Sequence, residues 1–192
     1  NPVHTYLTTG TYEVSLTAVN ICGSLTSTQT ITIDELTEGL LVSLDLDGDD
    51  DQVTLANDLA FGTDQDFTIE MFVRSGGWSA DPGIVSNKNW NSGSNPGFII
   101  AGKTDGTTWK FNIGDGSNRI DLDGGVINDE QWHHIAVIYD ADGTKQLYQD
   151  GEFITSTNDI IPSSVDTALD LIIGADGNGN FPFTGQVAEV RI

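Results

Sequence analysis

The feature that most constrains this chain is the alternation of apolar and polar residues, which recurs in short runs along its length. In the clearest run, residues 67–74, the side chains of Phe67, Ile69, Met71 and Val73 fall on one face. A period of two residues predicts β-strands, because successive side chains point to opposite faces of a strand. Similar runs occupy residues 12–19, 30–33, 44–55, 135–139, 171–173 and 187–192. No stretch indicates a helix longer than two turns.

Turn-forming dipeptides separate these runs. They are Gly76–Gly77, Asp115–Gly116, Gly124–Gly125, Asp142–Gly143 and Asp150–Gly151, with Gly177–Asn178–Gly179 near the end. Asp-Gly between alternating runs favours a hairpin, since both residues tolerate the positive φ of a tight turn. Many short strands joined in this way predict an all-β fold of two antiparallel sheets, a β-sandwich or jelly roll.

The charge of the chain is strongly negative and unevenly distributed. The 192 residues include 29 Asp and Glu against 7 Lys and Arg, a formal net charge of −22. Residues 1–73 contain 13 acidic residues and no Lys or Arg. Nucleic acid and anionic membrane surfaces are therefore excluded as partners, because both are bound through clustered basic residues. No apolar run approaches the ~20 residues of a membrane span, so we expect no membrane insertion.

An acidic, aperiodic linker at residues 34–40 separates a first segment, residues 1–33, from the rest of the chain. It contains His4, Tyr6, a Gly10-Thr-Tyr turn into a strand, and Asn20. This pattern resembles the C-terminal part of a PKD-type immunoglobulin-like domain, a spacer or adhesion module in that family. The resemblance implies a structural role for His4. The single cysteine, Cys22, is either a buried small hydrophobe or the partner of a cysteine outside this chain. Both ends of the chain look cut, so we expect a piece of a larger protein.

The remaining residues, 41–192, carry motifs of a second family in the right order. They lie at 44–53 (LDLDGDDDQV), 67–73 (FTIEMFV), 84–98, 132–137 (WHHIAV), 147–151 (LYQDG) and 185–192 (GQVAEVRI). These motifs resemble a laminin-G-like, concanavalin-A-like lectin/glucanase domain. The resemblance implies a jelly roll with one concave sheet. It does not specify a ligand, because the fold hosts lectins, adhesins, glycanases and structural modules.

The acidic turn at residues 45–51 is the predicted metal site. Asp45, Asp47, Asp49, Asp50 and Asp51 crowd it without a nearby base, and calcium prefers such oxygen ligands. The resemblance adds that family members often hold Ca²⁺ between the first and last strands, which implies backbone carbonyls of the last strand or Glu189 as further ligands. The family's final strand often has an acid where this chain has Ala188. The alternative is an exposed acidic turn without metal.

A second loop, residues 176–180, has the sequence Asp-Gly-Asn-Gly-Asn. Its Asp and Asn oxygens are possible calcium ligands, whereas a plain turn is at least as good an interpretation of so many glycines.

The predicted sugar site combines an aromatic ring with amide and charged side chains. Trp90 would be the platform, and the hydrogen-bonding residues around it would be Asn87, Lys88, Asn91, Asn118 and Arg119. The alternative is that Trp90 folds back to plug its loop while the amides cap turns.

We expect no enzymatic activity. Glycanases of this fold carry acids at i, i+2 and i+4 of one strand, and no Glu-x-Asp-x-Glu occurs here. We interpret Trp132 as a core residue and the adjacent His133 and His134 as hydrogen-bonded structural residues. The sequence therefore predicts a secreted or cell-surface carbohydrate-binding or adhesion module, stabilised by calcium. The alternative partners are neighbouring domains of a surface adhesin or filament, and a glycan hydrolase or lyase is the remote alternative.

Overall fold

The computed structural model describes residues 10–20, 23–33, 42–56 and 59–192. The predictions for His4, Cys22 and the linker at 34–40 lie outside these residues. The contact pattern divides the chain into two compact units, Asn1–Leu41 and Val42–Ile192. Within the described residues no helix is long and apolar enough to cross a membrane.

The first unit is a β-hairpin. Strands β1 (Gly10–Asn20) and β2 (Gly23–Ile33) pair antiparallel from Gly10 opposite Ile33 to Asn20 opposite Gly23. Threonines at opposing positions bond across the pair, with 2.8 Å between the hydroxyls of Thr17 and Thr26.

The second unit is a sandwich of two six-stranded antiparallel sheets, which confirms the predicted all-β fold. The sheet that we call the β5 sheet has the order β12-β11-β10-β5-β14-β3, and the β7 sheet has the order β4-β13-β6-β7-β8-β9. The strands are β3 (Leu44–Asp47), β4 (Val53–Leu55), β5 (Phe67–Arg74), β6 (Gly83–Ser86), β7 (Gly97–Gly102), β8 (Thr108–Gly114), β9 (Arg119–Val126), β10 (His133–Tyr139), β11 (Lys145–Gln149), β12 (Glu152–Thr157), β13 (Leu171–Ile173) and β14 (Thr184–Arg191).

The core lies between the two sheets and follows the alternation of the sequence. On β5 the odd-numbered residues 67–73 are buried, while the even-numbered side chains face outward. Trp109, Phe111 and Ile113 of β8 fill the core from the other sheet and have no exposed surface. Burial of such side chains contributes roughly 1.5–3 kcal/mol each, so the core is the main source of stability.

The outer face of the β7 sheet is also covered, which alternation alone does not predict. Ile99 and Asn112 point away from the core, yet neither has exposed surface. The covering chain is the connection between β6 and β7, residues 87–96, which we call the 87–96 loop. Its Trp90 lies against Lys110 on the outer face of β8. The loop therefore defines a site on this sheet.

Candidate functional site

The 87–96 loop is held from inside by Lys88, whose side chain is completely buried. Its ammonium group donates to the carbonyl oxygens of Gly93 at 2.8 Å and Gly97 at 3.4 Å, and also to that of Asn95. Burial lowers the pKa of Lys88 to about 7. Three converging carbonyl groups are the surroundings that a small cation would seek, and here the lysine side chain supplies that cation.

Asn87 fixes the other end of the loop. Its Oδ1 accepts a hydrogen bond from the backbone N–H of Phe98 at 2.9 Å, and 2% of its surface is exposed. Gly97 lies beside it with a φ of +103°, a conformation open to glycine. The predicted roles of Asn87 and Lys88 as ligand-binding residues need correction, because side chains with 2% or less of their surface exposed are not accessible to a ligand.

Asp176 anchors the loop from the turn before β14 and is fully buried. Its Oδ2 accepts the backbone N–H of Trp90 at 3.0 Å, and its Oδ1 accepts those of Asn178 at 3.0 Å and Asn180 at 2.8 Å. Gly177 donates its N–H to the Lys88 carbonyl at 2.8 Å, and a Cβ there would collide with the loop backbone. These contacts support the structural-turn interpretation of residues 176–180.

Trp90 is half-buried and exposes part of its ring at the surface of the loop. The ammonium group of Lys110 lies 4.6 Å from the centroid of the ring, a cation–π contact. Lys110 also pairs with the carboxylate of Asp81 at 2.8 Å. The ring therefore lies against the outer face of β8 through the Lys110 side chain.

Polar side chains of β8 and β9 extend this surface. Asn112 donates from Nδ2 to Asp121 Oδ1 at 2.9 Å, and Arg119 Nε pairs with Asp121 Oδ2 at 2.8 Å. Just over half of the Arg119 side chain is exposed, and its guanidinium packs directly against Gly93 of the loop. Sequence reasoning missed Asp81, Lys110, Asn112 and Asp121. Alternation along β8 and β9 places the last three on the face of Arg119, a signal available in the sequence.

Asn112 also contains a buried acceptor without a partner. Its Oδ1 has no exposed surface and no hydrogen bond within the described part of the chain. A buried amide oxygen in this state is costly, which is why such groups concentrate where a water or ligand completes them. It lies on the same face of the sheet as Trp90 and Arg119.

The two remaining predicted sugar contacts differ in position. Asn91 is exposed on the 87–96 loop next to Trp90, and its N–H donates to Asn89 Oδ1 at 3.0 Å. Asn118 is exposed in the turn before β9, where its Nδ2 donates to Asp115 Oδ2 at 3.0 Å. Asn91 is thus available beside the ring, whereas Asn118 is committed to its own turn.

The acidic turn keeps its carboxylates on the surface. Asp47 Oδ1 accepts the N–H of Asp49 at 2.8 Å, and Asp51 Oδ2 accepts the N–H of Asp47 at 3.2 Å. Asp50 is exposed as well. No group of three or more His, Cys, Asp and Glu side chains able to hold a metal occurs among the described residues. Calcium at this turn stays a prediction.

Glu189 is not brought to that turn. Thr184 is the β14 residue opposite Asp47, so Glu189 lies five positions further, roughly 16 Å along the strand. Its carboxylate pairs with Arg191 instead. The residue of the last strand that approaches the turn is Thr184, whose hydroxyl lies against Gly48. This corrects the predicted ligand set, because one ion cannot reach both places.

Both histidines of the Trp-His-His motif lie next to carboxylates. His133 bonds through Nδ1 to Asp150 at 2.8 Å and through Nε2 to Asp129 at 3.0 Å. Burial alone would lower the pKa of His133, but the two carboxylates raise it overall. His134 lies 3.4 Å from Glu70. Trp132 is half-buried and outside the core, so its predicted core position is wrong, and Trp109 is a core tryptophan instead.

Comparison with known proteins gives a match over most of the chain. Residues 47–192 match the family model Laminin_G_3, described as the Concanavalin A-like lectin/glucanases superfamily. No curated protein sequence matches the chain.

Several solved structures are similar in fold. Domains LG4-5 of the mouse laminin alpha1 chain share 12% identity at a TM-score of 0.57, over 77% of this chain and 39% of that chain. The CBM40 of Ruminococcus gnavus IT-sialidase, bound to alpha2,3 sialyllactose, shares 15% identity at a TM-score of 0.55, over 75% of this chain and 91% of that chain. The native heptameric SAP-like pentraxin of Limulus polyphemus shares 16% identity at a TM-score of 0.57, over 78% of this chain and 74% of that chain. The chain thus spans about two fifths of the laminin chain, and identities this low show the fold alone.

Proposed function

The chain belongs to the concanavalin A-like lectin/glucanases superfamily, and we propose that it is a non-catalytic carbohydrate-binding module of a secreted or cell-surface protein. The observation that carries this proposal is the half-buried Trp90, whose ring contacts Lys110, in a loop whose Gly93 lies against Arg119 of the Arg119–Asp121 pair. An aromatic face beside fixed charged and amide groups suits a sugar, which presents C–H groups on its faces and hydroxyls at its edges. The CBM40 structure with bound sialyllactose supports the same ligand class.

The non-catalytic part of the proposal rests on the state of the acid–base groups. The carboxylate of Glu70 pairs with Arg191 at 3.0 Å, and both ring nitrogens of His133 face carboxylates. Arg191 stabilises the ionised form of Glu70, which disfavours a role as general acid, and His133 has no ring nitrogen left to face a substrate. Turnover of laminarin, agar or alginate by the purified chain would favour the hydrolase or lyase alternative.

Trp90→Ala is expected to weaken glycan binding at least tenfold, because the ring supplies most of the apolar contact at the site. Truncation of a central aromatic contact typically costs 2 kcal/mol or more, and about 1.4 kcal/mol corresponds to a tenfold change. The measurement is a glycan array, with sialyllactose and laminarin included, followed by titration calorimetry on the best ligand.

Trp132→Ala is the matched control, since Trp132 is also half-buried but precedes β10 of the other sheet. It should bind as the wild type does. The proposal fails if the wild type binds no glycan, or if Trp90→Ala binds as well as the control. Binding of a partner domain without any glycan binding would favour the structural-link alternative.

Calcium belongs to the proposal as a stabilising ion at the acidic turn. Asp47, Asp49, Asp50 and Asp51 offer the hard oxygen ligands that calcium takes, within one short segment. Thr184 is the β14 residue close to them, since its hydroxyl lies 3.5 Å from the carbonyl oxygen of Asp47. The ion would tie this turn to the last strand and offset repulsion between the carboxylates.

Addition of calcium after removal of metal by chelator is expected to raise the Tm by several degrees. An ion that binds only the native state shifts the folding equilibrium towards that state. The double variant Asp49→Asn/Asp50→Asn should lose this response. Asp64→Asn/Asp66→Asn, with the same change in charge outside the turn, should keep it. An identical Tm with calcium and with chelator would contradict calcium binding.

A further inference from the structure

The outer face of the β5 sheet contains a continuous row of side chains in register across five strands. Phe153 of β12 lies opposite Tyr148, Tyr148 opposite Ala136, Ala136 opposite Glu70, and Glu70 opposite Arg191 of β14. Four strand spacings make this row about 19 Å long. We propose that this outer-face row is a second glycan-binding surface, which takes a neutral polysaccharide chain laid across the strands.

The aromatic end of the row is open to solvent. Phe153 has 53% of its surface exposed, and its ring meets that of Tyr148 edge-on at 5.8 Å between centroids. Ile138 of the same face is 36% exposed. Such an apolar cluster on a sheet surface loses its contact with water when a sugar face packs on it, so ligand contact here is favourable.

The polar end of the row has fixed donors and acceptors. Glu70 accepts from Arg191 Nη1 at 3.0 Å and lies 3.4 Å from His134 Nε2. About a third of the Glu70 side chain and 60% of the Arg191 side chain remain exposed. The hydrogen bond from Arg191 lowers the pKa of Glu70, so the carboxylate is ionised at neutral pH. A carboxylate and a guanidinium held together match the adjacent hydroxyls of a sugar edge.

One small residue separates the two ends of the row, because Ala136 lies between Tyr148 and Glu70. Its methyl group rises less from the sheet than the ring and the charged side chain on either side. The row is therefore a shallow trough with an aromatic wall at one end and an ion pair at the other, a shape that suits an extended chain.

The negative charge of the chain favours a neutral glycan over an acidic polysaccharide or a second copy of this chain as the occupant of this surface. The net charge of −22 repels an acidic polysaccharide, and it equally opposes the face-to-face approach of a second copy of this chain. Glu70 and Glu189 place acidic groups directly at the trough, next to Arg191. A neutral chain encounters no such repulsion.

This surface is separate from the site at Trp90, since the two lie on the outer faces of opposite sheets. A module with both would bind two chains of a polysaccharide at once and gain avidity on an insoluble matrix. The inference therefore does not depend on the function proposed for the 87–96 loop.

The test is affinity electrophoresis of the full chain in gels containing laminarin, xylan or alginate, with pull-down on cellulose and agarose. Phe153→Ala, Tyr148→Ala and Arg191→Gln are each expected to weaken retention on at least one neutral polysaccharide fivefold or more. Trp90→Ala should still be retained through the outer-face row, although more weakly than the wild type on a polysaccharide that both sites bind. Ile160→Ala removes an exposed apolar residue outside β12 and should bind as the wild type does. Phe153→Ala alters an exposed side chain, so its Tm should match that of the wild type.

Three outcomes would overturn the inference. The first is a wild type retained by no neutral polysaccharide of the panel. The second is equal retention of the wild type, Phe153→Ala and Arg191→Gln. The third is sedimentation showing a dimer that Phe153→Ala dissolves, because the face would then be an interface between copies. Loss of binding in Trp90→Ala alone would instead support the 87–96 loop site and count against this one.

Discussion

Replacement of Lys88 by methionine is expected to lower the free energy of unfolding by about 3 kcal/mol and to abolish glycan binding at the 87–96 loop. Methionine fills a similar volume but donates nothing to the carbonyl groups of Gly93, Asn95 and Gly97. These buried acceptors would lose their partner, and the loop would no longer hold Trp90 over the sheet. All four tryptophans lie in the second unit, so thermal unfolding followed by tryptophan fluorescence reports on it.

The control is Lys145→Met. Lys145 is also fully buried, and it donates to the carbonyl oxygens of Ala141 at 3.0 Å and Gly143 at 3.1 Å in the β10–β11 connection. It should cost comparable stability but leave glycan affinity unchanged, because it holds a different loop. Equal loss of affinity in both variants would show that stability alone, and not the loop, controls binding.

The loss of unfolding free energy in Lys88→Met is expected to depend on pH. Burial lowers its pKa to about 7 in the native state, while an unfolded lysine titrates near 10.4. Between these values the unfolded chain binds more protons, so the contribution of Lys88 to stability rises with pH. The difference in unfolding free energy between the wild type and Lys88→Met should therefore grow from pH 7 to pH 10. A difference that shrinks over this range would contradict the assignment.

Asp176→Asn is expected to cost about 2–4 kcal/mol, although the two side chains have the same shape. The Asp176 carboxylate accepts backbone N–H groups at both oxygens, from Trp90 on one side and from Asn178 and Asn180 on the other. An asparagine must turn its amide N–H₂ towards one of these sets of donors. The resulting clash of donors should weaken glycan binding together with the Tm.

Asp115→Asn is the matched control for this change. Asp115 also accepts backbone N–H groups, from Ser117 at 2.8 Å and from Asn118, but it lies in an exposed turn where water replaces lost partners. Its substitution should lower the free energy of unfolding by about 1 kcal/mol or less. An Asp176→Asn variant as stable as Asp115→Asn would show that the buried anchor is unimportant.

The sequence was informative wherever one local rule decides the structure. Alternation predicted the buried and exposed faces of β5, and Glu70 does stand on the outer face between Thr68 and Phe72. The motifs at residues 44–192 predicted the family and the two-sheet sandwich, and both predictions are confirmed. These features depend on the period of the strand and on turn chemistry, both of which are properties of neighbouring residues.

The candidate site was predicted only in outline. Trp90 and Asn91 lie in the loop whose Gly93 contacts Arg119, and all three side chains reach the surface. Their role in ligand binding stays a prediction. Lys88 and Asn87 were assigned to the ligand because charged and amide residues are usually exposed. Their burial results from a loop that folds back on a sheet, and no local pattern signals that a lysine will point inward.

The sequence by itself determined the fold class and the acidic character, which follow from short-range periodicity and composition, and the family, which the order of its motifs indicates. Only the tertiary structure decided which polar side chains face solvent. Asp176 meets the backbone of Trp90 across 86 residues, and Arg191 meets Glu70 across 121. Contacts at such separations depend on how the sheets pair and on which carbonyl groups are left without partners. A polar residue can serve as an anchor or as a ligand contact, and its position in the folded chain decides between the two.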